Sequence, residues 1–141
     1  MTASLPLSGR TALITGAGSG IGAAIATELA SAGAFALVQD LRVEHAVAVA
    51  NAIHAEGGEA DAIGGDVSNS DDVTAMVDAL MASRGRFDIL VNNAGFQHLA
   101  PIESFPLDVW NKMLGVLLTG PFLLTRAAIP IMRRQGWGRI I

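Results

Sequence analysis

The sequence predicts an α/β protein: a doubly wound parallel sheet between two layers of helices, three αβα layers in all. Three observations predict it. Short apolar runs alternate with longer segments of helical period, the pattern of successive β-α-β units. A turn with four glycines in eight residues, Thr15 to Gly22, joins the first run to the first helical segment. An acidic residue, Asp40, closes the second run 18 residues beyond Gly22.

Taken in order, strands are read at 11–15, 35–39, 59–64, 87–92 and 138–141. The first helix is read over 20–32, with Ile21, Ala24, Ile25 and Leu29 at helical spacing and Gly33 as its stop. The second runs over 43–56 and ends at Gly57-Gly58. Ser68 to Asp71 offer capping oxygens for a third helix over 71–83, which buries Val73, Met76, Val77 and Leu80 and closes at Gly85. After Pro106 a long helical pattern covers 107–134, interrupted at Gly120-Pro121 and again at Pro130. Its apolar positions, including Leu117, Leu118, Phe122, Leu123 and Ile129, exceed what one sheet face needs. Trp137 to Ile141 open a buried strand at which the sequence stops, so the chain is expected to be the front part of a longer protein.

The 141 residues are 51% apolar and 16% charged, with no uninterrupted apolar run of about 18 residues, as expected of a soluble chain without a membrane span. A net charge of −4 leaves no electrostatic footprint for nucleic acid or anionic membranes. There is no cysteine, which excludes disulfides, thiolate metal sites and cysteine nucleophiles. The N-terminus lacks the basic start and apolar run of a secretory signal, and a cytoplasmic location is expected. Three scattered histidines make no metal site.

The glycine turn matches G-x-x-x-G-x-G at Gly16, Gly20 and Gly22. A diphosphate rests on a helix N-terminus only where backbone N–H groups face it and no Cβ intervenes, which glycine allows. Asp40 is placed to accept hydrogen bonds from ribose hydroxyls and to repel a 2′-phosphate, which favours NAD over NADP, although Arg42 lies near enough to meet a phosphate. No Gly-Lys-Ser or Gly-Lys-Thr follows the glycines, so this is not a Walker loop, while a methyltransferase loop remains open at this point.

Together with Asp66-Val67 after the third strand and Asn92-Asn93-Ala94-Gly95 after the fourth, the TGAGSGIG turn resembles the short-chain dehydrogenase/reductase family, over essentially the whole chain. The resemblance implies a Rossmann-like fold, here truncated after the start of the fifth strand, and one NAD-binding domain over 1–141. It places Gly16, Ser19, Gly20, Ile21 and Gly22 around the diphosphate and Asp66 on the adenine amino group. Val67 would flank the ring, with Asn93, Ala94 and Gly95 along the cofactor. The Asn92-Asn93 pair would also hold neighbouring strands together. Gln97-His98 after the Asn-Ala-Gly is similar to the D-3-hydroxybutyrate dehydrogenase branch, which implies that Gln97 binds a substrate carboxylate and that the reaction moves a hydride between nicotinamide and a small 3-hydroxy acid. A dehydrogenase for another alcohol or ketone, and an inactive NAD-binding fragment, are the alternatives.

The family's serine, tyrosine and lysine belong beyond the fifth strand. This chain has no tyrosine, and its one lysine, Lys112, lies in the long helix, so no catalytic residue is expected within it. The family's helix asparagine, seven residues after the tryptophan, falls on Leu117. Pro121, four residues on, has no N–H for the Leu117 carbonyl, so proline is expected to make the kink and leave that oxygen for a relay water. The resemblance also implies a dimer or tetramer joined through the long helix.

Overall fold

The computed structural model describes residues 4–141. Five strands, β1 (Thr11–Ile14), β2 (Phe35–Asp40), β3 (Glu59–Gly64), β4 (Ile89–Val91) and β5 (Arg139–Ile140), form one parallel sheet in the order β3-β2-β1-β4-β5. The helices are α1 (Gly20–Ser31), α2 (Val43–Ala55), α3 (Ser70–Arg84), α4 (Leu107–Leu114) and α5 (Gly120–Gln135). The chain leaves β1 toward β2 on one side and returns to β4 on the other. The carboxyl ends of β1 and β4 therefore flank the switch point at which such sheets hold ligands.

Alternation along the strands divides the interior into two cores. Ala12 and Ile14, Ala36 and Val38, and Ile89 and Val91 face α1 and α2. Leu13, Phe35, Leu37 and Leu90 face α3 and α5. The first core is rich in alanine, and the face of α1 that enters it is Gly22, Ala26 and Ala30. That face differs from the spacing read in sequence: Ile21 is 74% exposed, Ala24 is exposed, and Ile25 and Leu29 are half-buried. Small residues at every fourth position let the helix axis lie close on the sheet, and the larger side chains then splay to the flanks.

The third helix follows expectation more closely. Val73, Met76, Val77 and Leu80 are buried; Asn69 caps the N-terminus by accepting the N–H groups of Asp71 and Asp72; Gly85 ends it with φ +66°.

The long helical pattern is not interrupted as expected. Leu107–Gln135 is continuous, with one wide π turn over Gly115–Thr119, in which the Gly120 N–H donates to the Gly115 carbonyl, five residues back. Pro121 follows at once. Widening the turn is the alternative to breaking the helix where the proline ring would crowd the Leu117 carbonyl. Pro130 also stays inside α5; it and Arg126, whose carbonyl loses its donor, are both exposed to water.

By length and composition this helix is apolar enough to cross a membrane, with a mean hydropathy of 1.6 over its most apolar window. Leu124, Ala128 and Met132 bury one face of it in the core, while Leu117, Leu118, Phe122 and Ile129 are exposed.

At the amino ends of the strands, Asp88 is fully buried and joins β1 to β4. Its Oδ2 accepts the Thr11 N–H at 3.0 Å and the Arg86 Nε–H at 3.1 Å, and its Oδ1 accepts from Arg10 at 2.9 Å and from Arg86 at 2.7 Å. Burial pushes this carboxyl up, but the hydrogen bonds from Arg86, Arg10 and Thr11 and the charge of Arg86 outweigh it, and the group is held below the usual carboxylate range. A carboxyl depressed on folding stabilises the native state at pH above the ordinary aspartate range. That contribution is lost as pH falls through the lower folded value.

Asp88→Asn is accordingly expected to cost about 2 kcal/mol at pH 7, less than for a fully buried pair because both arginines are partly exposed. It should also flatten the fall of stability on acidification below about pH 4. Urea unfolding of parent and variant across pH reads both effects.

Candidate functional site

At the carboxyl ends of β1, β2, β3 and β4 lies an open cleft of about 370 Å³. Its walls include Gly16, Ser19, Asp40, Asp66, Val67, Asn93, Ala94 and Gly95, eight of the residues singled out in sequence. Gly20, Ile21 and Gly22 lie outside this lining, in the first turn of α1, where an α-helix leaves its N–H groups without intrahelical partners. Ser19, the N-cap, makes no side-chain cap of its own. The end of α1 thus presents backbone donors beside the cleft.

The loop before α1 is held from both flanks. On the β2 side, the Gly16 N–H donates to Gln39 Oε1 at 3.1 Å, the Ala17 N–H to the Gln39 carbonyl at 2.7 Å, and the Gly18 N–H to Asp40 Oδ2 at 3.0 Å. On the β4 side, Asn93 Nδ2 donates to the carbonyls of Thr15 and Gly16, at 3.0 and 3.1 Å. The Thr15 hydroxyl donates to the Val91 carbonyl and accepts the N–H groups of Asn93 and Ala94. Asn93 therefore joins two loops across the switch point, while the Asn92 N–H donates to the Ile141 carbonyl and Asn92 Oδ1 is buried without a partner among the described residues.

Two glycines are fixed by this crossing. Gly16 has φ +60°, and a Cβ there would stand 2.8 Å from the Ala94 Cα. At Gly22 a Cβ would fall 2.5 Å from Asn93 Nδ2 and 2.6 Å from the Gly16 carbonyl oxygen. Gly22 is thus required by packing rather than by an open face toward the cleft.

Asp40 is held at the rim with both oxygens engaged, Oδ2 by Gly18 and Oδ1 by the Arg42 N–H at 3.0 Å. Asp66 accepts the Ser68 N–H and hydroxyl on one oxygen, Oδ1, at 2.9 and 2.7 Å, and its other oxygen has no donor among the described residues. Val67 is buried against Gly120.

Gln97 is exposed and outside the cleft lining. His98 packs edge-on against Phe105, and Phe105 against Trp110, so the segment after β4 rests on α4. Leu117, in the wide turn, covers Gly95, its Cδ2 3.0 Å from where a Cβ of residue 95 would stand. Sequence reading missed Gln39, Leu41, Gly65, Phe96, Lys112 and Val116 in the walls. Of these only Gln39 carries a signal, as a polar residue ending the apolar run of β2 just before Asp40.

The sequence profile of the short chain dehydrogenase family matches residues 10–141. The chain belongs to the short-chain dehydrogenase family. It is 47% identical over 130 residues to an uncharacterized oxidoreductase, YxjF, of Bacillus subtilis, covering 92% of this chain and 51% of the relative. It is 41% identical over 135 residues to a D-beta-hydroxybutyrate dehydrogenase of Cupriavidus necator, with 96% and 52% covered. A D-threitol dehydrogenase of Mycolicibacterium smegmatis is 42% identical at the same coverage. A crystal structure of a metagenomic short-chain oxidoreductase in complex with NADP superposes with a TM-score of 0.92 at 41% identity, over 95% of this chain and 61% of that one. The chain spans about half the length of the curated relatives it matches. The family is one of oxidoreductases that bind a nicotinamide cofactor, and the Rossmann-like fold is the one expected of it.

Gly16→Ala is expected to lower stability by roughly 3 kcal/mol, combining a left-handed φ with a backbone clash. Gly57→Ala, with φ +83° but open space around it, should lose only about 1 kcal/mol. Melting temperatures of the two variants side by side separate the terms; equal losses would mean that the crossing with Ala94 is not tight.

Proposed function

We propose that residues 1–141 form the NAD-binding domain, the N-terminal part, of an oxidoreductase that transfers a hydride between nicotinamide and a small 3-hydroxy acid of the 3-hydroxybutyrate type. The observation that carries the cofactor reading is Asp40, whose carboxylate is fixed at the rim by two backbone N–H groups. Fixed there, it accepts from ribose hydroxyls and repels a 2′-phosphate, whereas Arg42 approaches it only through its backbone. On this reading the cofactor is NAD, whereas the superposed metagenomic structure is a complex with NADP.

The rest of the cleft suits such a nucleotide. The free oxygen of Asp66 accepts from an adenine amino group beside the apolar wall of Val67. Ser19 in the wall and the first turn of α1 beside it, Gly20 to Gly22, offer N–H groups to the diphosphate end, and Asn93, Ala94 and Gly95 line the way onward. The nicotinamide supplies the hydride acceptor; the residues of this chain bind and orient it.

The substrate reading rests on Gln97 and on the D-beta-hydroxybutyrate dehydrogenase among the relatives. The side-chain amide of Gln97 donates to the substrate carboxylate from the segment after β4. The Leu117 carbonyl, lacking an i+4 donor because of Pro121, is offered to a relay water in the place of the family's asparagine. The acid/base residues lie outside residues 1–141. The exposed apolar face of the long helix, Leu117, Leu118, Phe122 and Ile129, joins copies of the chain in a dimer or tetramer.

In the full-length protein NAD is expected to bind at least about tenfold more tightly than NADP, and Asp40→Ala to narrow that gap, as read by calorimetry. Tighter binding of NADP by the parent would overturn the cofactor reading. Gln97→Ala is expected to raise KM for D-3-hydroxybutyrate about tenfold with kcat little changed, the loss of one hydrogen bond to a charged group. An unchanged KM would overturn the 3-hydroxy acid reading and favour another alcohol as substrate.

A further inference from the structure

Gln39 is 1% exposed, a long polar side chain buried at the end of a strand that is otherwise apolar up to Asp40. Such a residue requires partners for both ends of its amide. Its Oε1 accepts the Gly16 N–H at 3.1 Å, and its Nε2 donates to the Gly65 carbonyl at 2.7 Å. One amide thus spans from the loop after β1 to the bend after β3.

Each of the two peptide groups it touches is gripped again on its other side. The 15–16 peptide gives its N–H to Gln39 and its carbonyl to Asn93 Nδ2. The 65–66 peptide gives its carbonyl to Gln39 and its N–H to Asp72 Oδ2 at 2.8 Å. Gly65 also has no room to retreat toward α3, since a Cβ there would lie 2.7 Å from Met76 Cε. With both planes pinned, the loop leading to the end of α1 and the peptide carrying Asp66 are set at a fixed separation across the cleft.

We propose that Gln39 is a positioning residue of the nucleotide site: its side-chain amide braces the glycine loop against the Gly65-Asp66 bend, so that the diphosphate end and the adenine end of the cleft are preformed in register. The proposal rests on the reading of this cleft as the nucleotide site. It assigns Gln39 no contact with the nucleotide; the residue acts through Gly16 and Asp66. Removing the amide leaves the two peptide groups to find other partners, and the cost appears as ordering that the nucleotide must then supply on binding.

Two substitutions test it. Gln39→Met keeps size and removes both hydrogen bonds. Gln39→Glu keeps the acceptor for Gly16 but, when ionised, sets a carboxylate oxygen against the Gly65 carbonyl. When protonated, it restores an O–H donor there and is isosteric with glutamine. The dissociation constant for NAD is measured on the full-length protein at pH 8.5 and pH 6.0 by calorimetry, with melting temperatures alongside. Gln39→Met is expected to bind about tenfold more weakly at both pH values. Gln39→Glu is expected to bind at least about tenfold more weakly at pH 8.5 and to return to within about threefold of the parent at pH 6.0, because burial raises the carboxyl above its ordinary range.

A Gln39→Met protein with the parent's NAD affinity and only a lower melting temperature would overturn the brace and leave a purely structural residue. A folded Gln39→Glu protein that stays weak at pH 6.0 would also overturn it. If Gln39→Glu does not fold, Gln39→Met decides alone. A parent that binds neither NAD nor NADP removes the site reading itself, a result distinct from a parent that binds and a Gln39→Met variant that binds equally.

Discussion

Residues 15–18 are held between the ends of β2 and β4 by hydrogen bonds, and the arrangement of the cleft depends on that grip. Three successive N–H groups, of Gly16, Ala17 and Gly18, turn back into the protein toward Gln39 and Asp40. The carbonyls of Thr15 and Gly16 turn the other way, toward Asn93. A glycine loop left to itself has the largest conformational entropy of any segment. Here the N–H groups from Gly16 to Gly18 are consumed, and the next donors are those of Ser19 and the first turn of α1. The glycines therefore serve close approach more than mobility, and the loop is tied in one shape by its neighbours.

The same economy governs the layer above it. Gly22 must be small because Asn93 and Gly16 pass against it, and Ala26 and Ala30 continue that narrow row into the alanine-rich core. On the opposite face, α3 and α5 fill the larger space with Met76, Leu80, Leu124 and Met132. The asymmetry brings α1 close enough to the sheet for its first turn to meet the cleft, with bulk on the far side completing the interior.

Much of this was legible in the sequence where one local signal decided the outcome. The four apolar positions of α3, a cap somewhere in Ser68 to Asp71 and a stop at Gly85 follow from spacing and residue type, and the structure settles the cap on Asn69. Asp40 stands out by its place at the end of a strand, whereas Asp66 and Asn93 are singled out by the family resemblance, and the structure brings all three to one cleft. What escaped was set by contacts between distant segments. Counting apolar residues picked Ile21 and Ala24 on α1, but the sheet demanded Gly22, Ala26 and Ala30. Gln39 escapes because nothing local tells that Gly16 and Gly65 converge on it. Gln97 was singled out by likeness to a family branch, and the structure leaves it exposed outside the cleft.

The wide turn over Gly115–Thr119 carries a consequence for how the long helix is compared with others. A π turn houses one residue more than the α turn it replaces, so the segments on either side keep their places in space while the count between them grows by one. Faces on α4 and α5 that look about 100° out of step on a regular helical wheel are then aligned in the protein. Distances along this helix, such as that from Leu114 to Leu124, are to be reckoned one residue short. A relative with an ordinary turn at this point would align with a single-residue gap inside the helix, a place where gaps are usually refused.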